Sequence, residues 1–133
     1  MRTIILQSSF ILMMMSHLSC AAVDTALEQE MNTLSAAIHK KVEPLSCERD
    51  AQCGSLAFGV KSCGGPLKYL VYSAKHTNEN ELKPLVEKYN DLNRKFIEET
   101  GLVSTCEFIS QPVVACIKGK CQTLGSSFER PAE

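Results

Sequence analysis

The stretch Leu56–Tyr72 reads LAFGVKSCGGPLKYLVY, and its interpretation decides the fold. Leu56, Phe58 and Val60 alternate with Ala57, Gly59 and Lys61, the period of a half-buried strand. Pro66–Tyr72 then begins a second β-rich run. Between them lies Ser62-Cys63-Gly64-Gly65-Pro66. A Gly-Gly pair between two strands resembles a two-residue hairpin turn, in which the residue after the glycines donates its N–H across the turn. Pro66 has no N–H. The connection is therefore read as a wider loop, with glycine in left-handed conformations and Pro66 opening the strand. Leu67–Ala74 is apolar on both faces in the middle, which places it centrally in a sheet. Gly64, Gly65 and Pro66 are read either as the bend that opens this strand or as a candidate binding loop, where a partner can reach main chain.

Downstream, Asn78 followed by Glu81 marks a helix start. Leu82, Leu85, Val86, Tyr89, Leu92 and Phe96 line one face of a helix that ends at Gly101, with Pro84 near its first turn. Leu102–Ile109 reads as a third strand carrying Cys106. Two short runs around Lys118-Gly119 predict a hairpin in which Cys116 faces Cys121. Those two either bond to each other or point together into the core and staple other segments. Upstream, Leu27, Met31, Leu34, Ile38 and Val42 define an amphipathic helix over about 25–42, stopped before Pro44. It serves either as a packed helix or as a stalk.

The N-terminus sets the compartment. Arg2 precedes the apolar run Ile4–Met15, followed by small residues near Ser19-Cys20-Ala21-Ala22. That order is a secretory signal peptide, and the run is too short to span a membrane. Leu18-Ser19-Cys20 also resembles a lipobox, with His17 where Leu is usual, so Cys20 is a candidate lipidation site. The organisation expected is a signal peptide over 1–22, an N-terminal helix over 23–44, a cysteine-rich α+β domain over 45–124, and a flexible tail over 125–133.

Of the seven cysteines, six remain if Cys20 is removed or lipidated: Cys47, Cys53, Cys63, Cys106, Cys116 and Cys121. An even count in an oxidising compartment predicts three disulfides, with fifteen possible pairings. Cys63 is expected to tether to Cys106 or to the 47–53 loop. No C-x-x-C occurs and no His lies near these cysteines, so neither a metal site nor a redox motif is predicted. The fold class is a small disulfide-stapled α+β domain: an N-terminal helix, and an antiparallel sheet of about four or five short strands on one long central helix.

Net charge is −1, with 14 basic and 15 acidic residues, and signal removal takes away only Arg2. This balance offers no electrostatic footprint for nucleic acid or anionic membrane. Membrane contact is expected only through a lipid on Cys20. His39 and His76 read as surface residues, and Ser73 and Ser104 lack a nucleophile elbow. Asp50 and Asp91 complete no convincing triad. His76–Glu81 lacks the Asp ligands and glycine of a calcium loop. No catalytic residue and no cofactor is predicted.

Cys47-x5-Cys53, Cys63-Gly64-Gly65-Pro66, Ser104-Thr105-Cys106-Glu107 and Ala115-Cys116-x4-Cys121 together resemble small exported bacterial proteins, often lipoproteins, of unassigned function. Tyr69, Ser73 and the Leu85-Val86-x-x-Tyr89-x-x-Leu92 helix fit the same pattern. The likeness spans about residues 45–122 and brings no catalytic residue. The function expected is a non-enzymatic binding or inhibitory module of the bacterial envelope, periplasmic or secreted, meeting a protein partner. The alternatives are a structural lipoprotein anchored through Cys20 and an enzyme without a recognisable motif.

Overall fold

The computed structural model describes residues 21–124. The expected signal peptide up to residue 20, the candidate lipidation site Cys20 and the expected tail over 125–133 lie outside the described residues. The elements are α1 (Ala21–Val42), a short 3-10 turn (Asp50–Gln52), β1 (Cys53–Val60), β2 (Pro66–Ser73), α2 (Glu79–Thr100), β3 (Val113–Ile117) and β4 (Lys120–Leu124).

Both helices follow their apolar stripes. From α1, Leu27, Met31, Ile38 and Val42 are buried, and Leu34 packs beside them. The helix is packed on the domain rather than held out as a stalk. Asn78 caps α2 by accepting the Asn80 N–H at 3.0 Å. Gly101, at φ 66°, ends it in the left-handed conformation that glycine adopts without strain. Pro84 lies inside the helix, where it forfeits only one early main-chain bond. Ile38, Val42, Phe58, Leu70, Tyr72, Leu82 and Val86 form the core between the two helices and β1–β2.

The loop over 61–65 is the wide connection expected. Val60 pairs with Pro66, the Lys61 N–H donates to Gly65 O at 2.9 Å, and Gly64 and Gly65 have φ of 94° and 81°. Lys118 and Gly119 form the two-residue turn of β3–β4, and Cys116 stands opposite Cys121.

Among the described residues there is no single sheet of four or five strands. β1 pairs only with β2, and β3 only with β4, as two antiparallel two-stranded sheets. β2 is therefore not central. Neither is there one long central helix: α1 and α2 are each 22 residues long and pack against each other. The segment read as a third strand, Leu102–Ile109, joins no ladder.

A side chain explains why β1 acquires no second neighbour. The Asn90 carboxamide accepts the Gly59 N–H at 2.7 Å and donates to Ala57 O at 3.1 Å, so it occupies the edge as a strand peptide would. Asn93 accepts the Val60 N–H at 2.8 Å. These bonds sit at a local distortion where Gly59 takes φ 72°, and an added Cβ there would fall 2.7 Å from the Leu67 side chain.

The pairings left open are settled as Cys47–Cys116, Cys53–Cys121 and Cys63–Cys106. The facing cysteines of the hairpin thus point together and staple other segments. Ser46 forms a bridge with Lys120, supported by Cys47 N–H to Gly119 O at 3.0 Å and Cys121 N–H to Leu45 O at 2.8 Å. Three disulfides are consistent with an extracellular or periplasmic location. Among the described residues no helix is long and apolar enough to cross a membrane.

Candidate functional site

The segment joining α2 to β3 builds the most unusual surface. It is fastened to the 61–65 loop by side chains instead of a ladder. Ser62 and Ser104 exchange bonds reciprocally, each N–H donating to the other's Oγ at 2.9 Å. Cys63 is bonded to Cys106, and the buried Lys61 ammonium donates to Glu107 O. Further along, the Gln111 amide reaches Ser55 Oγ at 3.4 Å. Three consecutive residues, 61 to 63, therefore hold this connector against the body.

Fastened in this way, the connector and the start of β3 carry apolar side chains into water. Val103 is 86 % exposed, Phe108 88 % and Val113 66 %. Leu67 on β2, Leu102, and Leu124 at the end of β4 are also exposed. Leu67, Phe108, Val113 and Leu124 line one open groove of about 690 Å³ between β2, residues 107–112 and the β3–β4 hairpin. A smaller apolar cleft of about 180 Å³ adjoins it under Leu102 and Val103, sharing Leu67. Exposed leucine is ordinary when scattered, but contiguous large apolar side chains mark an interaction surface. Sequence reading missed this face because it took Leu102–Ile109 for a third strand, in which these apolar side chains would have been packed in a sheet.

In the candidate loop Gly64 and Gly65 face solvent and Pro66 is half-buried. An added Cβ at Gly64 or Gly65 would meet no atom within 4 Å. Pro66 opens β2 directly before Leu67, so the loop borders the apolar face without lining the groove.

The polar candidates have structural partners. Ser73 is buried and donates to Ser46 O at 2.6 Å. His39 is exposed, its Nδ1 lies 2.8 Å from Ser35 O, and its ring packs edge-on against Phe58 at 5.3 Å. Phe58 stacks on Tyr89 at 4.2 Å, with the Lys68 ammonium 5.2 Å from its centroid. Asp50 accepts the Cys116 N–H at 2.8 Å, and Asp91 pairs with Arg94.

One contact went unforeseen: Ser46 Oγ lies 2.7 Å from His76 Nε2. Proton transfer through such a pair needs an orienting group on the far ring nitrogen. Among the described residues no carboxylate contacts the His76 ring. The adjacent ion pair is Lys75–Glu48 at 2.6 Å, which holds the Glu48 carboxyl below its usual range through the hydrogen bond and charge of Lys75.

Tyr72 has the clearest perturbed titration. Burial, then the hydrogen bond to Glu79 at 2.6 Å and that carboxylate's charge, push its phenol up from 10.0 to about 12. The Lys41 ammonium, 2.9 Å away, holds Glu81 below the usual carboxylate range. Both arrangements brace α2 against neighbouring elements.

No protein-family model, curated protein or solved structure matches this chain.

Proposed function

We propose that the chain is an exported, disulfide-braced binding or inhibitory module of the bacterial envelope. It recognises a protein partner in the envelope or outside the cell, without performing catalysis, through the apolar face around residues 102–113. The carrying observation is that Val103 and Phe108 stand in water on a connector fastened by a disulfide and reciprocal serine bonds, beside the exposed Val113 that opens β3. A fastened segment loses less conformational freedom on binding, which favours affinity. The cysteine framework's resemblance to small exported bacterial proteins supports the location.

The test compares the full chain with Phe108→Ser/Val113→Ser in capture from an envelope extract. Both side chains are exposed, so the thermal midpoint should be unchanged. A partner retained by the wild type and lost by the variant is the expected result. Equal capture by both, or none by either, sinks the proposal.

A further inference from the structure

Cys47, Cys53 and Cys121 bring their Sγ atoms within 4.8 Å of one another, and Cys116 is disulfide-bonded to Cys47. Two disulfides thus adjoin, with three of their four sulfurs grouped together. Cys121 is 1 % exposed and Cys47 7 %, whereas Cys53 and Cys116 are half-buried.

Main-chain bonds independent of sulfur also hold the four residues together. Cys47 and Cys121 are fixed by the reciprocal bonds to Gly119 O and Leu45 O. Cys116 stands opposite Cys121 in the ladder, and its N–H is held by Asp50. Cys53 follows Gln52, whose carbonyl accepts the Ala74 N–H at 2.7 Å. Cutting both S–S bonds therefore leaves four thiols presented by two short loops, Cys47-x5-Cys53 and Cys116-x4-Cys121.

Four thiolates from two short loops are the ligand set of a closed tetrahedral site. At zinc–sulfur bonds of about 2.3 Å, tetrahedral geometry separates the sulfurs by roughly 3.8 Å. The Cys47, Cys53 and Cys121 sulfurs already lie within 4.8 Å of one another; Cys116 Sγ, outside that group of three, has to turn toward them once its bond to Cys47 is cut. The second loop's spacing is within the usual ligand range, and the first exceeds it by one residue. Spacing along the sequence concealed the site, because the two cysteine pairs lie far apart in the chain and meet only in the fold. The remaining pair is remote: Cys63 lies beyond the far end of β1, an eight-residue strand that begins at Cys53 and spans about 26 Å.

We propose that the reduced chain binds one thiophilic divalent ion of the zinc class through Cys47, Cys53, Cys116 and Cys121, and that disulfide formation expels it. Binding requires the four thiols to lose their protons. Oxidation of the four thiolates removes four electrons, forms the 47–116 and 53–121 bonds and releases the divalent ion. Two molecules of an organic disulfide accept those electrons and depart as four thiolates. The device links metal loading to redox state and is independent of the apolar face.

The test uses the full chain, reduced with a phosphine without oxygen and titrated with Co²⁺. Expected are thiolate-to-cobalt charge-transfer bands that saturate at one ion per chain and vanish on adding Zn²⁺. They should persist in Cys63→Ser/Cys106→Ser and be lost in Cys47→Ser/Cys121→Ser, which removes one ligand from each loop. Adding an organic disulfide should release the ion from the wild type. Absence of the bands, their survival in Cys47→Ser/Cys121→Ser, or their loss in Cys63→Ser/Cys106→Ser overturns the proposal. The last variant keeps the test decisive even if the ligand variant fails to fold.

Discussion

Replacing Gly54 with Ala is the sharpest probe of how the β1–β2 sheet meets the core. Gly54 stands opposite Tyr72 in the ladder, and the tyrosine ring lies across it. A Cβ at residue 54 would fall 2.3 Å from Tyr72 Cζ and 2.4 Å from its hydroxyl oxygen. Ordinary carbon contacts are about 3.5–4.0 Å, so the ring must move by more than about 1 Å. It has little room, because Tyr72 is only 5 % exposed and its hydroxyl is held by Glu79. Overpacking a filled site costs about 1–3 kcal/mol. Ejecting the ring entirely costs about as much as truncating it, roughly 3–5 kcal/mol. Between these bounds, Gly54→Ala should lower stability by about 2–4 kcal/mol in urea unfolding with the disulfides intact. In a Tyr72→Ala background the obstacle is gone, and the same change should become neutral or stabilising by about 0.5–1 kcal/mol, because alanine orders more cheaply than glycine in a strand. The reversal of sign is the diagnostic result. A cost below about 1 kcal/mol in the wild type, or an equal cost in both backgrounds, would refute the reasoning.

Two further outcomes follow from the same core. Asn93→Ala leaves the Val60 N–H without its acceptor and should cost about 1–3 kcal/mol; amide exchange should quicken at Val60 while Gly59, held by Asn90, stays protected. The raised phenol of Tyr72 sets an alkaline limit: the native state holds its proton more tightly than the unfolded chain. That contribution is fully present below pH 10.0 and is lost as pH rises through about 12. Urea midpoints over this window should therefore fall less steeply in Tyr72→Phe than in the wild type.

What was legible in the sequence was local. Apolar spacing located both helices, Asn78 and Gly101 fixed the ends of α2, and the missing N–H of Pro66 excluded a tight turn at Gly64-Gly65. Lys118-Gly119 announced its hairpin. The rest depended on competition between partners for the same main-chain groups. Leu102–Ile109 has strand composition, but Ser62 and Lys61 bind its main chain through their side chains, and no strand among the described residues pairs with it. Asn90 and Asn93 were invisible as edge partners because a carboxamide on a helix face resembles any solvated polar residue. The facing positions of Cys116 and Cys121 were foreseeable, whereas their partners depended on how the 45–47 segment docks on β4.

The two adjacent staples have a mechanical consequence. Cys47–Cys116 and Cys53–Cys121 join the start of the cysteine-rich region directly to its end. Tension applied between α1 and the end of β4 passes through these bonds and bypasses residues 54–115. A protease cut anywhere in that interval leaves both fragments covalently joined. The connector with its exposed apolar face lies inside the bypassed segment, so it keeps its shape under pulling at the ends and stays attached after a nick.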